Sequence, residues 1–101
     1  MPLSNQQRKY LKGLCHDLKP VVTVADKGVS ATIGAAIDEA LNHHELIKVK
    51  VRQERDDRAR LMQEILEASS SEKVMSIGQV LCLYRANPNK ATDKRIKLPK
   101  A

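Results

Sequence analysis

The stretch Leu46-Ile47-Lys48-Val49-Lys50-Val51-Arg52 decides the fold. Ile47, Val49 and Val51 recur at every second position, and Lys48, Lys50 and Arg52 fill the positions between. Successive side chains of a strand point to opposite sides, so this pattern places three β-branched residues on one face and three cations on the other. A strand buried on both faces would not carry three cations, so part of one sheet face must meet water.

Working towards the N-terminus, Ile33, Ala36, Ile37, Ala40 and Leu41 fall at i, i+3, i+4, i+7 and i+8. That spacing predicts a helix from about Ser30 to about His43, with Ser30 as its N-cap. Before it, Ala25-Asp26-Lys27-Gly28 reads as a turn and Val21-Val22-Thr23-Val24 as a β-branched strand. Pro20 closes an earlier helix, from about Ser4 to about His16. Tyr10, Leu11, Leu14, Cys15 and Leu18 form its apolar stripe, and Ser4 with Gln7 has the form of a capping box.

Working towards the C-terminus, Leu61, Met62, Ile65 and Leu66 mark a third helix over about Glu54 to Ala68. Its acidic Asp56-Asp57 start suits a helix N-terminus, and Ser69-Ser70-Ser71 ends it. Lys73 to Ile77 and Val80 to Tyr84 read as two short strands joined by the two-residue turn Gly78-Gln79. The order α-β-α-β-α-β-β predicts a single compact α/β domain over residues 1–85, built on a four-stranded mixed sheet. Two strand-helix-strand units predict parallel pairing through right-handed crossovers, followed by an antiparallel hairpin. Residues 86–101 read as a basic C-terminal tail, partly extended and mobile.

The length of 101 residues suits one domain. No apolar run approaches the roughly 20 residues of a membrane helix, and the first residues lack the pattern of a signal peptide. A cytoplasmic protein is therefore expected. The two cysteines, Cys15 and Cys82, are far apart in sequence and in apolar company, which suits a reduced, buried pair. Net charge is +6. Residues 1–52 carry +3, residues 53–85 carry −1 and residues 86–101 carry +4. Such an excess attracts polyanions without saying which.

Four features could carry function. The turn Ala25-Asp26-Lys27-Gly28 opens onto a helix, whose free amides suit phosphate; the same residues also make an ordinary strand-to-helix turn. Lys48, Lys50 and Arg52 stand roughly 7 Å apart along one strand face, close to the phosphate repeat of a nucleic acid. A solvated edge strand using lysine against aggregation would look the same. Arg8, Lys9 and Lys12, with Lys19 beyond, make a basic cluster on the first helix, where a plain solvated face is the common case. His43-His44-Glu45 lacks a third ligand at metal-binding spacing and reads as a helix C-terminus, as does His16. Neither cysteine has an oriented base nearby in sequence, so no catalytic residue, metal or cofactor is expected. With no Trp or Phe and only Tyr10 and Tyr84, the chain lacks a base-stacking platform of aromatics. If nucleic acid is the ligand, recognition by phosphate and shape is the expectation.

Several blocks together resemble the YhbY, or CRM, domain family. They are Leu11-Lys12-Gly13-Leu14 with Leu18-Lys19-Pro20-Val21-Val22, then His44-Glu45-Leu46-Ile47-Lys48-Val49-Lys50-Val51, then Ile77-Gly78 with Val80-Leu81-Cys82-Leu83-Tyr84-Arg85. They cover about residues 3–98 in order. The resemblance implies an RNA-binding fold similar to the C-terminal domain of a bacterial translation initiation factor. For a single-domain bacterial member it implies association with precursors of the large ribosomal subunit through structured rRNA; plant relatives with several copies act in organellar intron splicing. It implies a phosphate-contacting Gly-x-x-Gly turn, which here is Ala25-Asp26-Lys27-Gly28, with alanine replacing the first glycine. Lys27, Gly28, Lys48 and Lys50 are carried over as RNA-binding residues. Arg52 rests on strand geometry, and Arg8, Lys12 and Lys19 on the charge cluster. The expected protein is a monomeric, non-enzymatic RNA-binding factor assisting ribosome assembly. The alternative is a protein-interaction factor docking on a ribosomal protein or assembly GTPase.

Overall fold

A computed structural model describes residues 3–25 and 29–100. The elements run α1 (Asn5–Cys15), β1 (Pro20–Val24), α2 (Ala31–His44), β2 (Leu46–Val51), α3 (Arg55–Ser69), β3 (Glu72–Ile77) and β4 (Val80–Tyr84), followed by a short 3-10 turn at Thr92–Lys94. Local chemistry explains the boundaries. Ser4 Oγ accepts from Gln7 N–H and Gln7 Oε1 accepts from Ser4 N–H, both at 3.1 Å, so the capping box forms. Ser30 Oγ accepts from Ile33 N–H at 3.1 Å and caps α2. Ser70 takes a left-handed conformation at φ 52° to end α3. Gly78 adopts φ 56° in the turn between the paired Ile77 and Val80, a conformation that favours glycine.

The sheet order is β1-β2-β4-β3. β1 pairs parallel with β2, while β4 pairs antiparallel with both β2 and β3. The first strand-helix-strand unit thus pairs as expected. In the second, β2 and β3 run in the same direction but do not touch, because β4 lies between them. The physical reason is burial. Val80-Leu81-Cys82-Leu83-Tyr84 has no charged residue and is buried almost throughout, which suits a central strand. β3 carries Glu72 and Lys73 and leaves Lys73, Ser76 and Ile77 exposed, which suits an edge.

Two apolar layers hold the sheet. On one face Ile47, Val49, Val51, Leu81 and Leu83 pack against Ile37 and Leu41 of α2 and Leu61, Met62 and Ile65 of α3. On the other, Leu46, Val74, Cys82 and Tyr84 pack under Leu11 and Cys15 of α1. α1 covers only the Leu46–Tyr84 end of that second face. At the far end Lys50 and Val80 are half-buried and Ile77 is 66% exposed.

The segment after Tyr84 is not a free tail, which corrects the sequence expectation. Glu45, fully buried at the end of α2, accepts through Oε2 from the Asn87 amide and through Oε1 from the Ile96 amide, each at 2.7 Å. Ile96 and Leu98 pack against the layer under α1, and Gln7 Nε2 donates to Pro99 O at 3.0 Å. Arg85 donates to Asp38 Oδ1 at 2.6 Å and to Ser69 O at 2.8 Å, tying the end of β4 to the middle of α2 and the end of α3. Pattern reading treats this segment as solvated because its composition is polar; its anchors are a buried carboxylate and two isolated apolar residues, which make no periodic signal.

Candidate nucleic-acid interface

The cations of β2 lie on the sheet face that α1 leaves partly open. Lys48 stands opposite Cys82 and Lys50 opposite Val80 on β4, while Thr23 of β1 flanks Lys50 on the other side. Both lysines are half-buried, and Arg52, just past the strand, is exposed. The Lys48 stem therefore lies along apolar surface while its ammonium donates to Leu18 O at 2.9 Å, in the connection after α1. Arg52 N–H donates to Val24 O at 2.8 Å, which continues the β1–β2 ladder by one residue and fixes where that arginine emerges. Arg52 and Ala25 line one shallow depression together with Glu54, so the row ends beside Ala25, the first residue of the turn expected from sequence. Lys27 and Gly28 of that turn lie outside the described residues.

The basic cluster of α1 divides. Lys12 lines the same cavity as Lys48, so helix and strand cations meet there. Arg8 turns towards β3 and donates through Nε to Lys73 O at 3.2 Å, away from that cavity. Lys19 instead lines a groove with Leu14, Leu18 and Val21, at the exposed edge of β1. His43 stands 4.0 Å from Glu39 one turn earlier, an exposed contact of little energetic weight. Glu45, next to His44, is the buried anchor described above. Among the described residues no group of three His, Cys, Asp or Glu side chains is placed to hold a metal ion. No described helix is long and apolar enough to cross a membrane.

Beneath Lys48 lie the two cysteines, free and buried. The neighbouring Cys82 thiol and burial push the Cys15 thiol up from its ordinary range.

Residues 3–85 match the model of the CRS1 / YhbY (CRM) domain. The chain belongs to that family. A Pseudomonas aeruginosa protein named "Probable RNA-binding protein" is 46% identical over 89 residues, which span 87% of this chain and 86% of that protein. A Haemophilus influenzae protein named "RNA-binding protein" is 39% identical over 99 residues, 97% of this chain and 96% of that one. The fold is similar to the solution structure of a hypothetical protein from Staphylococcus aureus, with TM-score 0.79 and 33% identity over 96% of this chain and 99% of the other. CRM membership accounts for the α/β architecture and gives the basic sheet face its context. Sequence patterns did not point to Glu45 or Arg85 as contributors to this architecture. Glu45 and Arg85 act through contacts with residues more than 15 positions away, which leave no local trace.

Proposed function

We propose that this CRM protein binds structured RNA through its phosphate backbone, as a factor of precursor large ribosomal subunits with rRNA as its ligand. The observation that carries the reading is the meeting of Lys48 with Lys12 across the cavity at the edge of α1, with Lys50 next along the same strand face. Fixed cations at strand spacing match a line of phosphates, and their stems are held by packing, so less freedom is lost on binding. The names of the Pseudomonas and Haemophilus relatives support RNA as the class of ligand. The reading assigns no catalytic step.

Sedimentation of cell extract through a sucrose gradient tests the assembly role. The protein is expected with large-subunit particles at low salt and at the top of the gradient at high salt, because phosphate contacts weaken as salt rises. Presence at the top under both conditions would remove the ribosomal role. The Lys48→Glu/Lys50→Glu double variant tests the surface. It is expected to stay folded and to leave the particles. Retention of that folded variant would transfer the role to a protein-docking face.

A further inference from the structure

A cavity of about 260 Å³ opens between the C-terminal end of α1 and the sheet, and the phosphate reading leaves it unused. Its wall is apolar and rich in sulfur: Cys15 from α1, Cys82 from β4 and Met75 from β3, with Val80 beside them. Its rim is cationic or hydrogen-bonding: Lys12 from α1 and His16 at its C-cap face Lys48 from β2. Ile77, 66% exposed, forms its outer lip.

Resting on the reading of this face as an RNA interface, we propose that the cavity takes one unpaired nucleotide of the bound RNA. The base enters between α1 and the sheet, and the phosphates beside it lie on Lys12, His16 and Lys48. Three features select that occupant. The volume is below the roughly 300–1,000 Å³ of pockets for drug-sized ligands, which suits a single ring system. Polarisable sulfur makes favourable contacts with aromatic rings, and three sulfur-bearing side chains line the wall. An apolar protein side chain would match that wall but would leave the rim cations unpaired next to a dry contact, at a desolvation cost. A nucleotide carries a flat, weakly polar ring and an anion side by side, so it matches wall and rim together. The cavity wall offers a base few fixed hydrogen-bond partners, since Met75 and Val80 have no strong donor or acceptor and the cysteine thiols only weak ones. Preference among the four bases is therefore expected to be slight. The chain achieves base burial by insertion, in a molecule whose two tyrosines, Tyr10 and Tyr84, lie outside the cavity lining.

The test uses three RNA hairpins with one stem sequence: a plain stem, the stem with a single bulged uridine, and the stem with an abasic site at the bulge. The abasic stem keeps the bulge's phosphate and flexibility and lacks only the base. The wild-type protein is expected to bind the bulged stem about tenfold more tightly than the other two, the amount expected from burying about 60 Å² of the ring against an apolar wall. Met75→Trp, which fills the cavity from an edge strand, is expected to lose that preference and keep its affinity for the plain stem. Equal binding of the bulged and abasic stems by the wild-type protein would overturn the pocket while leaving the RNA interface standing. A preference that survives in folded Met75→Trp would overturn the pocket as its seat. Failure to bind any of the three would overturn the pocket and the RNA interface together.

Discussion

Glu45 shows how much one residue can determine. It takes φ 62° as a non-glycine residue, a conformation that costs roughly 1–3 kcal/mol unless its surroundings fix it. The surroundings do fix it. Its own N–H donates to Leu41 O, its carbonyl accepts from Arg85 N–H, and its carboxylate holds the Asn87 and Ile96 amides, with Arg95 at 3.9 Å. Glu45→Gln keeps the shape and leaves one amide facing an NH2 group. A loss of about 1–3 kcal/mol is expected in urea unfolding, the cost of an unsatisfied buried donor. Faster hydrogen exchange at residues 87 and 96 should accompany it; unchanged exchange there would mean that the carboxylate does not hold the segment. Tyr84, in the same layer, gives a pH prediction. Burial raises its pKa, Glu45 and Glu72 raise it further and Arg95 opposes them. A phenol whose folded pKa lies above its unfolded value of about 10 contributes no pH dependence below 10. As pH rises past 10 the unfolded chain loses the proton first, so stability falls. Tyr84→Phe should make the fall above about pH 10 shallower, read from urea midpoints. An identical slope in the two proteins would exclude Tyr84 as a contributor.

At the scale of elements, most of the fold follows from short patterns, and the hairpin turn gives a clean check. An added methyl at Gly78 meets nothing within 4 Å, so Gly78→Ala is opposed only by its φ of 56°. The expected loss is about 1–2 kcal/mol, the cost of a left-handed conformation for an L-residue, measured by chemical unfolding with RNA affinity per folded molecule preserved. A neutral substitution would mean that the turn relaxes freely. The period of 3.6 residues places the three helices and the period of two places β2; β1 follows from its β-branched run and β3 and β4 from two short runs about Gly78-Gln79, while Ser4, Ser30 and Gly78 mark ends through chemistry that acts within four residues. Strand order is different. It depends on which strand buries both faces, and the deciding contrast is the uncharged Val80–Tyr84 against the edge-like Glu72–Ile77. The site divides the same way. The lysine row of β2 is legible as alternation, and Lys12 as a helical cation. Their meeting across a cavity walled by Cys15, Met75 and Cys82 depends on how α1 crosses the sheet, which no local pattern encodes. Lys19 shows the converse, since its neighbourhood in sequence does not bring it into that cavity's lining.

At the scale of the molecule, charge and architecture combine into one quantitative expectation. The net charge of +6 alone would draw the protein towards any polyanion, and such attraction is diffuse. Localised contacts behave differently, because each neutralised phosphate releases condensed counterions and adds about 0.9 to the slope of log affinity against log salt on a duplex, or about 0.7 on a single strand. If Lys48 and Lys50 each touch a phosphate, replacing both by Gln should lower that slope by about 1.5–2 on the plain RNA stem, with the fold intact. Replacing two cations that lie away from the sheet face, Arg58 and Arg60 of α3, removes the same net charge. It should change the slope by much less, since only general attraction is lost. The comparison separates a contact surface from a charged molecule. Equal slopes for the two double variants would mean that RNA senses the total charge of the domain, and the open half of the sheet would lose its claim as the interface.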